Sequence, residues 1–207
     1  TQSPFEPHEL GYFWERHFDL SGSHDLAASL AEHDPAPFLA DLAAMERRGW
    51  GPLLFKAVAM GFNAAYLARI LPTSRFLYIS RDPLYVVQST YQARVRRYGS
   101  PAHWWSLRPA GYEELQQLPP LEQIVAQVQR SRRTLERELA QIEPARAFRL
   151  RYEDLCTDPE AALAQVAGWL PAEREPAYEV PPQLPCGNVA RLDAELLERA
   201  RELLEER

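Results

Sequence analysis

Apolar residues follow two rhythms along this chain. Three short apolar runs, PLLFK (52–56), FLYIS (76–80) and AFRLRYEDL (147–155), are bounded by Pro, Arg or Asp and read as buried strands. The segments between them repeat at helical spacing. GFNAAYLARIL places Phe62, Tyr66, Leu67 and Ile70 on one face, and a longer helix carries Leu121, Ile124, Val125, Val128, Leu135, Leu139 and Ile142. Residues 25–48 predict two helices broken at Asp34-Pro35, where proline removes a donor and restricts its predecessor. In TDPEAALAQVAGWL, Asp158 caps a helix, Pro159 fits its first turn, and Leu163, Val166, Ala167 and Leu170 form the expected buried stripe. A charged amphipathic helix follows Asp193. Near the start, ELGYFWERHF suits a short helix or an aromatic lid.

Strands alternating with helices predict an α/β fold: a central parallel sheet with helices on both faces, forming a three-layer sandwich. Ligands in such sheets bind at the carboxyl ends of the strands, which selects Lys56, Arg81 and the residues after Leu150. The 207 residues suit one domain. Residues 101–120, with four prolines and the pair Trp104-Trp105, read as an insertion or lid upon it.

A formal charge of −6 argues against nucleic acid as partner, because no surplus of Lys and Arg exists to neutralise phosphates. Any anion site must therefore be local. Cys156 and Cys186 form no CxxC pair, so neither a metal site nor a disulfide framework is indicated, and a reducing cytoplasm fits best. No apolar run reaches the length of a membrane span.

The stretch FLYISRDPLYVVQSTY holds the densest chemistry. Asp82 is a good N-cap and Pro83 a good first helical residue, while Ser89 lies seven residues past Asp82 on the same helix face. A guanidinium at a strand end and a hydroxyl two turns on can converge on a phosphate. The same pattern also fits an Arg81 paired to a surface carboxylate beside an ordinary helix-face serine. The residues alone leave both readings open.

LLFKAVAMGFNAAYLARILPTSRFLYISRDPLYVVQSTY, followed by RLRYEDLCTDPEAALAQVAGWL, resembles the bacterial sulfotransferase family that uses 3′-phosphoadenosine 5′-phosphosulfate (PAPS). The resemblance implies a P-loop NTPase-like fold and transfer of a sulfuryl group to an acceptor hydroxyl or amine, with PAP as product and no metal. It makes Arg81 and Ser89 the 3′-phosphate site. It sets Lys56 beside the transferring sulfuryl group and Tyr152 near the adenine, with Arg191 as a second contact to the 3′-phosphate. Glu153 is expected to tie its strand to a neighbouring loop. For the base that deprotonates the acceptor, it favours Glu9, with His8 second.

One family element is missing. The glycine-rich loop reading roughly GxxRSGT, which wraps the 5′-phosphosulfate, does not occur in this sequence. The expectation is an N-terminally incomplete domain, with the first strand and its loop lost, cleaved or left out upstream of Thr1. Trp104, Trp105, Tyr98 and Tyr112 suit an apolar acceptor pocket or lid packing, and Arg94, Arg96 and Arg97 a basic groove or a solvated helix end. The acceptor is accordingly a small molecule, a glycan or a lipid. Two other readings share the architecture: a P-loop small-molecule kinase, which would need a Walker lysine and Mg²⁺-binding carboxylates, and a non-catalytic interaction module.

Overall fold

The computed structural model describes residues 11–48, 52–171 and 179–206. Among them the sheet is a pair of parallel strands, β1 (Phe76–Ser80) and β2 (Ala147–Arg151), registered from Phe76 opposite Ala147 to Ser80 opposite Arg151. The long connection that parallel pairing requires is supplied by α4 (Pro83–Tyr98), α5 (Tyr112–Leu115) and α6 (Pro120–Ala140). Before it come α1 (Gly11–His17), α2 (Ala36–Arg48) and α3 (Ala64–Ile70); after it come α7 (Tyr152–Thr157), α8 (Pro159–Trp169) and α9 (Ala194–Glu205).

Side-chain alternation gives the strand pair two faces. Phe76, Tyr78 and Ala147 pack against Ala64 and Ala68 of α3 and Leu139 and Ile142 at the end of α6. On the opposite face Leu150 is buried and Trp169 of α8 lies 5.4 Å from Phe148, but Leu77 and Ile79 are 43% and 47% exposed. The described residues therefore complete one helical layer and cover the second face over β2. Two further clusters complete the core: an aromatic one around Trp14, Phe18 and Phe38, and one between α4, α6 and α9.

Four elements differ from the sequence expectation. Residues 52–56 keep the alternation of a strand, with Leu53 and Phe55 turned toward the aromatic cluster and Leu54 96% exposed. They form no strand, because no second backbone among the described residues supplies ladder hydrogen bonds. Residues 25–35 form a single 3₁₀ turn, Ser29–Ala31, instead of a helix. Here the buried Asn63 side chain accepts from Leu26 N–H at 2.9 Å and donates to the His24 carbonyl at 2.8 Å, bonds that compete with helical pairing. β2 ends at Arg151, and Tyr152 starts α7, whose first turn holds Glu153 and Asp154 where the helix dipole favours negative charge. On α8 the buried positions are Pro159 and Ala162, while Leu163 and Leu170 of the expected stripe are 42% and 41% exposed.

The helix starts follow the sequence closely. Asp82, Asp158 and Asp193 each cap a helix through a 2.9 Å bond from a first-turn N–H. Gly99 ends α4 at φ +74°, a conformation that favours glycine.

Arg94 reverses its expected place. The sequence expects it with Arg96 and Arg97 in a basic groove or at a solvated helix end, yet Arg94 is fully buried while those two are exposed. Its guanidinium donates to the Pro101 carbonyl (3.1 Å), Gln127 Oε1 (2.8 Å) and Gln123 Oε1, and lies 5.1 Å from the centre of the Trp104 ring. Gln127 in turn donates to the carbonyls of Trp105 (2.9 Å) and Leu107 (2.6 Å), so one buried network fastens residues 101–107 to α4 and α6. Burial lowers the Arg94 pKa to about 10, which still leaves it cationic at neutral pH. Replacing it with Met leaves several buried acceptors without a donor, at a cost of about 3 kcal/mol. Urea unfolding of Arg94→Met should show a loss of that order, and Arg94→Lys should recover less than half because an ammonium cannot supply the guanidinium fork.

Candidate functional site

Because Ser80 lies opposite Arg151, the next residues, Arg81 and Tyr152, leave the strand ends side by side. The Arg81 guanidinium sits 4.8 Å from the centre of the Tyr152 ring, a cation–π contact. Arg81 Nε donates to Asn188 Oδ1 at 2.7 Å and Nη2 donates to the Gly187 carbonyl at 2.9 Å. The Tyr152 hydroxyl accepts from Gly187 N–H at 2.9 Å. A Cβ at position 187 would lie 3.2 Å from both Arg81 Nη2 and the Tyr152 hydroxyl, so any larger residue would have to displace these groups by a few tenths of an ångström.

Glu153 holds the assembly from below. One carboxylate oxygen accepts from Asp82 N–H (2.9 Å) and from Asn188 Nδ2 (2.8 Å), joining the start of α4 to the 187–188 segment. Burial acts to raise its pKa, but these bonds and the charge of Arg151 outweigh it and hold the carboxyl below the usual range. Further along, the buried Gln88 of α4 accepts from Arg191 N–H (2.6 Å) and donates to the Val189 carbonyl (2.8 Å). Residues 187–192 thus form a strap across the end of the strand pair.

The structure brings Arg81 and Tyr152 together and lays the backbone of Arg191 against Gln88, the neighbour of Ser89. Ser89 itself is exposed on α4, and the Arg81 hydrogen bonds run to Gly187 and Asn188 instead of to it. Arg191 has an exposed side chain. Lys56 is exposed at the end of the extended segment 52–56. Glu9 and His8 lie outside the described residues. Sequence reasoning missed Gly187, Asn188 and Gln88; the available signal was the Gly-Asn pair preceding Arg191 in a segment otherwise without helical or strand periodicity.

Two cavities adjoin these elements. One, of about 210 Å³, is lined by Arg81, Val86, Thr90, Ser106, Leu107 and Ser131; the Ser131 hydroxyl is buried with no partner among the described residues, and Ser106 has φ +72°. The other, of about 150 Å³, lies between α1 and residues 57–60 and includes Trp14, Glu15, His24 and Arg108. Arg108 donates to the Ser21 carbonyl (2.5 Å), the Leu20 carbonyl and His24 Nε2 (3.2 Å). Burial, and secondly the Arg108 charge, lower the His24 pKa to about 4, so its ring is neutral at pH 7.

A family model described as the sulfotransferase family matches residues 13–176, a span that takes in Lys56, Arg81, Ser89 and Tyr152. This chain belongs to the sulfotransferase family. Membership implies a P-loop NTPase-like fold, with which the small parallel sheet between helices agrees, and a transferase activity. No curated protein and no solved structure matches the chain. Among the described residues no helix is long and apolar enough to cross a membrane.

Two measurements follow from this geometry. A lowered carboxyl pKa contributes stability above the ordinary glutamate value and loses it as pH falls through the folded one. Glu153→Ala should therefore speed amide exchange at Asp82 by about fivefold at pH 7, equivalent to roughly 1 kcal/mol of local opening, and the difference from the parent should shrink under acid. The His24 ring binds its proton less readily folded than unfolded, so stability should fall as pH drops from 6.5 to about 4. Urea titrations of His24→Gln across that window should show a shallower slope.

Proposed function

We propose that this protein transfers a sulfuryl group from PAPS to an acceptor hydroxyl or amine, with the donor's nucleotide end at the Arg81–Tyr152 corner. The observation that carries this reading is the guanidinium held at the strand end against an aromatic ring and beneath a glycine that lets backbone approach closely. Arg81 Nη1 makes none of the hydrogen bonds described for the guanidinium, so it remains for a phosphate oxygen. In this reading Ser89 and Arg191 complete the 3′-phosphate site, a role supported by the bond that ties the Arg191 backbone to Gln88 on the helix carrying Ser89. Tyr152 offers a ring face for adenine.

In this scheme Glu9, or His8, takes the proton of the acceptor. The acceptor oxygen or nitrogen forms its bond to sulfur as the bond from sulfur to the phosphate oxygen breaks, and PAP departs with those electrons. Lys56 stabilises negative charge on the sulfuryl and leaving oxygens. Positioning and electrostatics supply most of the rate, as in phosphoryl transfer. The three-layer sandwich, a cytoplasmic setting and a bacterial source belong to the same reading.

Calorimetry with 3′,5′-ADP against 5′-AMP tests the donor. The 3′-phosphate should tighten binding at least tenfold, about 1.4 kcal/mol, and Arg81→Ala should remove that difference. Equal affinities, or a difference that survives Arg81→Ala, would overturn the PAPS reading and favour a non-catalytic module on the same fold.

A further inference from the structure

The segment fastened by Arg94 has two working sides. Ser106 and Leu107 wall the cavity that Arg81 shares, and Arg108 lines the cavity between α1 and residues 57–60. Building on the sulfotransferase reading, we propose that this second cavity is the acceptor site and that it takes a single-ring aryl monocarboxylate, its carboxylate at Arg108.

Size sets the first bound. A cavity of about 150 Å³ has room for one six-membered ring. Its walls are mostly apolar, from Trp14, Leu20, Val58 and Met60, which suits a ring face. Polarity sets the second. Glu15, His24 and Arg108 supply the polar side chains of the lining, and Arg108 is the cation among them.

Charge sets the third. The hydrogen-bonded partners of Arg108 are two carbonyls and the neutral His24 ring, so among the described residues no carboxylate in direct contact offsets the guanidinium. Asp19 acts on it only through space, because the Asp19 carboxylate is engaged by Ser21. Glu15, exposed on the same wall, disfavours a dianion and so selects a monocarboxylate over a phosphate ester. Lys56 directly precedes Ala57 in the cavity wall, which sets the site beside the residue assigned to the sulfuryl group. An acceptor here would lose its phenolic proton to the base and leave as the aryl sulfate.

Calorimetry of the full chain with 4-hydroxybenzoate and with 4-hydroxybenzyl alcohol tests the site without need of turnover. The benzoate should bind at least tenfold more tightly than the uncharged alcohol. Val58→Trp, a change at a residue 38% exposed on the cavity wall, should abolish benzoate binding. That variant should keep the parent's affinity for 3′,5′-ADP. Equal binding of the two probes, or benzoate binding undiminished in Val58→Trp, would overturn the proposal. Failure of the parent to bind 3′,5′-ADP would instead overturn the donor reading, and the benzoate titrations would still decide the ring site.

Discussion

Parallel pairing of Phe76–Ser80 with Ala147–Arg151 sets two strand ends level, and the Arg81–Tyr152 corner follows from that register. Side chains alternate along a strand, so a slip of one residue would send Tyr152 to the opposite face from Arg81 and separate the guanidinium from the ring it meets at 4.8 Å. Register in turn depends on the α3 and α6 surfaces that bury Phe76, Tyr78 and Ala147. Once both strands end together, Asp82-Pro83 turns the chain into α4 and Glu153 reaches back to the Asp82 N–H. The 187–192 strap then closes over the corner through Asn188 and Gln88.

A second polar network works at a distance from this corner. Arg94 and Gln127 fasten the backbone of residues 101–107 against two helices, although that segment has little regular structure of its own. Its neighbour Arg108 continues the attachment to the 20–24 loop. A Pro-rich segment thereby becomes a fixed wall between the cavity beside Arg81 and the one beside Trp14. Buried polar groups specify such geometry only when nearly all are satisfied, and among the described residues Arg94 Nε is the one atom of this network without a partner.

Much of this was legible in the sequence because it is encoded locally. Asp82-Pro83, Asp158-Pro159 and Asp193 announce helix starts through capping chemistry, and the periodicity of residues 121–142 predicts α6. Arg81 and Tyr152 were selected by the rule that ligands meet parallel sheets at strand ends, together with the family resemblance. What was not legible depends on partners far along the chain. PLLFK has the composition of a strand, yet a strand needs a neighbouring backbone, and residues 52–56 have none among the described residues. Arg94 sits in an Arg-rich helix end that reads as solvated, and only Gln123, Gln127 and Pro101 make its burial tolerable. Gly187 and Asn188 are separated from Arg81 by more than a hundred residues, so no local pattern links them.

The central claim is that the corner formed by Arg81, Tyr152 and the 187–192 strap is an anion site that recognises a nucleotide by its 3′-phosphate. Phosphorus NMR of 3′,5′-ADP titrated with the full chain tests it at the level of the individual phosphate. The 3′-phosphate resonance should shift and broaden on binding, and the shift should disappear in Arg81→Ala. A 3′-phosphate resonance that stays at its free position while the nucleotide binds would contradict it.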